Sequence, residues 1–383
     1  MSTPTPPEPA GSAESPSTLS AGAPLLDVRD LVIVYDSPRG PVEACSGVNL
    51  TVRPGEFVGI VGESGCGKST LLFGIAQLHS APARIAGGQV LFEGRDLVTM
   101  PTKDLNDLRW RRIAVVMQSA MNALNPVRTI GDQYKDAILA HEKWPDARIR
   151  ERSAEVLRLV SIDPAHLDSY PHQLSGGMRQ RAMIAMALLF TPDLVIMDEP
   201  TSALDVVAQR SLMVQIKELQ ATLGFAIIFV THDMSLVSHF SDRLMVMYAG
   251  QVAELGATRR VFDEPLHPYT RGLLEAFPSI RGPRVPLKGI PGSPPDLSVI
   301  PTGCRFHLRC PVAFEACPHV APELADEEGT QVRCLRYTED RSVPRDHATA
   351  AGRTPEQAFQ DRRGAVQADP ARRRRRELPD RPA

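Results

Sequence analysis

Long apolar runs are missing from this 383-residue chain. The longest, Ala182–Phe190, falls well short of the roughly 18 residues that a membrane-spanning helix needs. Charge of one sign is missing too. The 43 Lys and Arg against 45 Asp and Glu leave a formal charge of −2, which argues against a protein that coats nucleic acid. The N-terminus, MSTPTPPEPAGSAESPS, has neither a positive start nor an apolar stretch, so no secretory signal is read and a cytoplasmic chain is expected. Cysteine is scarce, six in all, and in a reducing compartment these are thiols or metal ligands, not a disulfide framework. What is present is enough apolar character, 43%, to build a sizeable core, and a length that suggests about two domains at roughly 150 residues each.

Residues 1–24 hold six prolines among Ser, Thr, Ala and Gly and read as a disordered leader. From about Asp340 the chain is rich in Arg, Ala and Asp, with the run Arg372–Arg376. It reads as a solvated basic tail, although a polybasic run can also touch anionic lipid. Between these ends, strands are expected at Leu25–Tyr35, Val48–Val52, Glu56–Val61, Ile113–Met117, Leu194–Met197, Phe225–Val230 and Leu244–Tyr248. The short continuous apolar runs among them suit strands buried on both faces, as in a parallel sheet. Helices at Ser69–Gln77, Gly176–Phe190 and Val206–Thr222 alternate with them, so an α/β layer fold follows. Nine prolines lie between Pro265 and Pro301. They speak against compact helix or sheet there, and a small second unit is expected to begin near Arg259.

Gly62-Glu63-Ser64-Gly65-Cys66-Gly67-Lys68-Ser69 fits G-x-x-x-x-G-K-[ST], after a strand and before a helix that continues through Thr70. Glycines let such a loop curl until its N–H groups converge on phosphate oxygens, and the helix adds its positive end. Lys68 would reach the β- and γ-phosphates, and the Ser69 hydroxyl would ligate Mg²⁺. The strand Leu194–Met197 runs into Asp198 and Glu199. Asp198 would hold Mg²⁺ through water and Glu199 would polarise an attacking water; alone, such an acid pair often only caps a turn. His232, just past the next apolar strand, is placed to contact a γ-phosphate, although most of the ten histidines are ordinary surface residues. Cys66, at a helix N-terminus, is expected to have a lowered pKa, so that alkylation would impair nucleotide binding.

Leu174-Ser175-Gly176-Gly177-Met178-Arg179-Gln180 offers a second helix N-terminus with bare N–H groups, a second anion site about 110 residues from the first. With the phosphate loop it resembles the signature of ABC ATPases, and the chain is identified as a member of that family over about Leu25 to Tyr337. The resemblance implies a P-loop NTPase (ABC ATPase) core at 25–258 with a helical subdomain at roughly 119–190, and a small Pro- and Cys-rich C-terminal unit at 259–339. It implies ATP sandwiched between the phosphate loop of one subunit and Ser175, Gly176, Gly177 and Gln180 of another. The partner would be a second ATPase, either a copy of this chain or a sister. Tyr35 matches the ring that stacks on adenine, or is an ordinary strand aromatic. Gln118 matches the glutamine that touches Mg²⁺ and links to membrane subunits, Ser202 and Asp205 belong to the loop facing the opposite subunit, and His232 matches a switch histidine.

The segments Gln118–Pro126, Tyr170–Gln180, Asp263–Thr270 and Ile290–Leu297 resemble the oligopeptide/dipeptide importer subfamily. That implies import of di- or oligopeptides, or of nickel complexes, with two integral permease subunits and an external substrate-binding protein. It also implies a peripheral place on the cytoplasmic face of the membrane, and no nucleic-acid partner. Cys304, Cys310, Cys317 and Cys334 are spaced C-x5-C-x6-C-x16-C, unlike a zinc ribbon or a ferredoxin run. The resemblance implies a [4Fe–4S] cluster on these four; four-thiolate Zn²⁺ and simply buried cysteines are the alternatives. A GTPase would need an N/T-K-x-D motif, which is not found. A soluble, non-transport ABC ATPase usually carries coiled-coil insertions or duplicated domains, and a metal-binding scaffold would not use the phosphate loop.

Overall fold

The computed structural model describes residues 22–118, 123–202, 204–276 and 289–338. The expected tail at 340–383 and nearly all of the expected leader lie outside these residues, as do 119–122 of the Gln118 segment and Ala203.

Two sheets carry the fold. Strands β1 (Leu26–Tyr35), β2 (Val42–Val52), β4 (Ala83–Phe92) and β5 (Arg95–Asp96) form an antiparallel sheet in the order β2-β1-β4-β5. The second sheet holds β3 (Phe57–Val61), β6 (Ile113–Val116), β7 (Leu194–Asp198), β8 (Ala226–Val230) and β9 (Arg243–Tyr248) as a parallel core. Strands β10 (Gln251–Ala257), β11 (Ala325–Glu327) and β12 (Thr330–Val332) extend it antiparallel, giving β11-β12-β10-β9-β3-β8-β7-β6. Every residue of β3, β7 and β8 is buried, which is why these strands read as unbroken apolar runs and not as alternations.

Helix α1 (Lys68–Ile75) follows β3, and α2 (Thr102–Leu108) precedes β6. Between β6 and β7 lie α3 (Ile130–Leu139), α4 (Asp146–Leu159) and α5 (Gly176–Ala187). Tyr134, fully buried, donates its hydroxyl to Ala182 O, and Trp110 Nε1 donates to Met186 O at 2.8 Å, so α5 is tied both to its neighbouring helix and to the sheet layer. Helix α6 (Val206–Leu223) follows β7, and α7 (Met234–Phe240) follows β8. One apolar core fills the space between the sheets, α1 and α2, and another lies between the large sheet and the remaining helices.

The proline-rich C-terminal stretch departs from expectation. Helix α9 (Pro268–Glu275) forms there; α8 (Thr258–Asp263) lies just before it, and further on β12 pairs with β10 through Glu254↔Val332 and Leu255↔Gln331. Pro268 does not break α9, because it occupies the first turn, where a helix has no use for its N–H; His267 Nδ1 caps the same end by accepting from Tyr269 N at 3.0 Å. Phe306 packs into the core beside Tyr248 and Tyr269, so this stretch is built onto the main sheet and does not stand beside it.

Candidate functional site

The loop Gly62–Gly67 connects buried β3 to α1. Gly67, with φ at +102°, could not be replaced without strain, since a Cβ there would lie 2.3 Å from Ala44 O. Around Gly65 nothing lies within 4 Å of the same construction, so the loop's mouth is open. Lys68 is buried, and its ammonium donates to Gly62 O at 2.8 Å and Glu63 O at 3.0 Å, folding back across the loop. Tyr35 at the end of β1 meets the first turn of α1, its hydroxyl 3.2 Å from Thr70 Oγ1.

Asp198 ends β7 beneath this loop. It is 2% exposed and hydrogen-bonded to Ser69, and its Oδ1 has no partner among the described residues. Burial raises its pKa, opposed by the Ser69 hydroxyl and Lys68. A buried carboxylate oxygen without a hydrogen-bond donor, next to a hydroxyl, fits the oxygen ligands that a Mg²⁺ bound with a nucleotide would need.

Three other residues of the expected site meet on one carboxylate. Glu199 Oε2 accepts from Gln118 Nε2 at 3.2 Å, and Glu199 Oε1 lies 3.3 Å from His232 Nδ1. Glu199 has φ at +43°, a backbone conformation that costs an L residue of order 1–3 kcal/mol, and its N–H is held by Val230 O at 2.9 Å. That bond ties the start of the Glu199 turn to the strand that ends just before His232.

Ser175 caps α5, its hydroxyl accepting from Met178 N at 3.3 Å. Gly176 and Gly177 form the first turn, and nothing lies within 4 Å of a Cβ built on Gly177. Gln180 is buried and its Nε2 has no partner among the described residues. No hydrogen bond among the described residues joins Ser175–Gln180 to the phosphate loop. Asp205 caps α6 by accepting from Ala208 N at 2.9 Å, and Ser202, exposed, sits in the turn after Glu199 with its N–H on Glu199 O.

Cys66 does not have the lowered pKa expected of a helix N-terminus. The thiol is 2% exposed, and burial pushes its pKa up by more than Lys68 and the local N–H groups lower it. Cys304, Cys310, Cys317 and Cys334 line one narrow, apolar cavity of about 10 Å³, together with His267 and His307. Burial pushes the Cys304 thiol up to about 11, with Cys334 and Cys317 adding to it. Among the described residues no group of three or more His, Cys, Asp or Glu is arranged to hold a metal ion.

Two contacts had no signal in the motif. Arg309 grips Glu63 of the loop with both Nη atoms, at 2.6 and 2.8 Å, and Tyr269 OH accepts from Glu63 N at 2.9 Å. These partners are 246 and 206 residues away in sequence, beyond the reach of any local pattern.

A buried parallel strand, a glycine loop, a lysine-led helix and a carboxylate pair ending the strand two places along the sheet define a P-loop nucleoside triphosphatase. Comparison with known proteins makes the class narrower. Residues 45–202 match the family described as ABC transporter, and residues 253–317 match the oligopeptide/dipeptide transporter C-terminal region. The chain is 41% identical over 322 residues to the dipeptide transport ATP-binding protein DppD of Caldanaerobacter subterraneus, covering 83% of this chain and 99% of that protein. It is 42% identical over 318 residues to the oligopeptide transport ATP-binding protein OppD of Salmonella typhimurium, covering 82% and 95%. Among solved structures it is similar to the dimeric ABC transporter cassette MJ0796, with a TM-score of 0.55 and 28% identity over 61% of this chain and 99% of that one. The same cassette is known in a post-hydrolysis state bound to ADP and Pi, at the same TM-score and identity. The chain belongs to the ATP-binding proteins of ABC transporters, and it is an ATPase.

Proposed function

We propose that this chain is the motor subunit of an importer of di- or oligopeptides, hydrolysing ATP at the cytoplasmic face of the cell membrane. Two supports combine: Gln118 and His232 converge on the Glu199 carboxylate, and residues 253–317 match an oligopeptide/dipeptide transporter region. The second observation carries the cargo class. No helix among the described residues is long and apolar enough to cross a membrane, so the path for cargo would belong to two integral permeases fed by an external binding protein.

ATP binds with its phosphates against the Gly62–Ser69 loop, Lys68 swinging from the Gly62 and Glu63 carbonyls onto the β- and γ-oxygens. Ser69 and Asp198, with Gln118 nearby, would hold Mg²⁺, which would supply charge neutralisation when bound. Glu199 orients the attacking water, with Gln118 and His232 fixing its two oxygens from either side. Tyr35 packs on the base. Ser175, Gly176, Gly177 and Gln180 close on the ATP of a second ATPase subunit, self or sister, with Ser202 and Asp205 facing that subunit. The open first turn of α5 and the unpartnered Gln180 amide favour this reading.

The four cysteines are a thiophilic donor set. The centre they would hold is a [4Fe–4S] cluster, with four-thiolate Zn²⁺ as the alternative. Either centre would be structural, tying Cys304–Cys317 to Cys334. Metal analysis and a visible absorption spectrum of anaerobically purified protein decide between them.

The deciding experiment is reconstitution in proteoliposomes with co-purified permeases and binding protein. ATP-dependent uptake of a labelled tripeptide, abolished in E199Q, is expected. Purification with no integral subunit, and ATP turnover indifferent to peptide, would point to a soluble ABC ATPase instead.

A further inference from the structure

The strongest contact that the hydrolytic reading does not use runs from the C-terminal stretch into the phosphate loop. The Arg309 side chain is only 5% exposed. Its Nη1 donates to Glu63 Oε2 at 2.6 Å and its Nη2 to Glu63 Oε1 at 2.8 Å, a two-pronged fit that a lysine cannot copy. Its Nε is fixed by Pro291 O at 2.9 Å, so the guanidinium is held from behind while it holds Glu63 in front. The backbone of the same loop residue is held as well, since Tyr269 OH accepts from Glu63 N. Tyr269 stands in a ring cluster with Tyr248 and Phe306, centroids 4.6 and 5.4 Å away.

The other end of the chain of contacts lies at the cysteines. Arg309 immediately precedes Cys310, and Arg305 immediately follows Cys304. Arg305 is anchored beside the loop too, on Ser46 Oγ at 2.9 Å and on Ala249 O; the next residue, Gly250, donates its N–H to Cys66 O at 2.9 Å. Two arginines flanking two thiols of one cavity thus reach the nucleotide loop or its immediate support.

We propose that Arg309 is a positioning residue for the ATP site, and that its grip on Glu63 links nucleotide binding to the order of the thiol-lined segment Cys304–Cys317. The proposal rests on the ATP site read above. The loop conformation that accepts phosphate is the one Arg309 and Tyr269 hold, so anything that loosens Cys304–Cys317 releases Glu63. Linkage makes the effect reciprocal: nucleotide that fixes the loop also fixes the segment.

The test uses full-length protein, a non-hydrolysable ATP analogue with Mg²⁺, and two variants that cut the tie from opposite sides, R309K and E63Q. R309K keeps the charge and loses the fork; E63Q keeps the shape and loses the charge. Each is expected to weaken analogue binding by about 5- to 150-fold, the usual range of coupling between sites. In wild type the analogue should slow hydrogen–deuterium exchange of residues 304–317, and in both variants that protection should fall away. The double variant should be no worse than the weaker single, since both remove one contact. A purely structural role would leave the nucleotide-dependent protection in place even if the melting temperature dropped. Wild-type affinity in both variants, or exchange at 304–317 indifferent to the analogue in wild type, overturns the proposal while leaving the ATPase reading standing. Failure of wild type to bind the analogue at all overturns both.

Discussion

At Glu199 the structure concentrates its chemistry on one side chain. The carboxylate takes Gln118 on one oxygen and His232 near the other, and its backbone sits in a strained conformation that the β7–β8 pairing supports. Replacing Glu199 by Gln should therefore lower ATP turnover by about 10²–10⁴-fold, the usual worth of a positioned general base, while ATP affinity stays within a few-fold. Phosphate release and equilibrium binding measured on the same preparation check both halves. Cys66 asks for a different experiment from the one its sequence position suggested. Buried and with its pKa raised, it should react with iodoacetamide at neutral pH far more slowly than a solvent thiol, which mass-spectrometric timing of the modified peptide would register. The motif showed Cys66 at a helix start; that Met247 and Ala44 close over the loop is a tertiary fact with no local trace.

Among the elements, the buried strands were the most legible, because burial on both faces writes an unbroken apolar run. The end of β3 at Val61 and the start of β8 at Ala226 agree with their expected positions to within a residue. Strand β4 was not legible: Gly87 and Gly88 sit inside it, and its pairing to β1 is set by partners distant in sequence, from Tyr35↔Ala83 to Leu26↔Phe92. Helices α3 and α4 were not resolved individually either, since their apolar faces are short and meet mainly each other, the 3₁₀ turn Pro164–Asp168 and α5. The site residues were legible wherever backbone chemistry fixes the spacing, and silent where a distant side chain, Arg309 or Tyr269, completes it. His141, in the turn after α3, carries a prediction of its own. It packs between Trp110 and Phe190 at 6.3 and 5.6 Å, and burial, then Arg111, lowers its pKa from 6.5. A group whose folded pKa is depressed gives its stability above the unfolded value and loses it as pH falls through the folded one. Thermal unfolding should thus show stability declining below about pH 6.5 in wild type, with a smaller decline in H141Q. Parallel pH profiles for the two proteins would contradict this.

For the whole molecule, the distribution of half-sites predicts association. The phosphate loop and the Ser175 end of α5 share no hydrogen bond within the chain, and each is an open N-terminus. E199Q protein given Mg-ATP should shift to a dimer, with itself or with a sister ATPase, and Ser175→Arg should abolish the shift by placing bulk and charge on that end. Sedimentation with and without nucleotide reads the difference.

The pairing of β12 with β10 has a consequence for how this chain can be cut. A fragment stopping after Ala257 would retain every hydrolytic group yet leave the outer rim of β10 bare, with Glu254, buried and accepting from Leu266 and His267 N–H, stripped of both donors. Bare strand rims recruit one another. Such a minimal cassette should come out of expression as aggregates, while one carried to Thr338 should stay dispersed, so the practical boundary of the catalytic body lies about a hundred residues beyond His232.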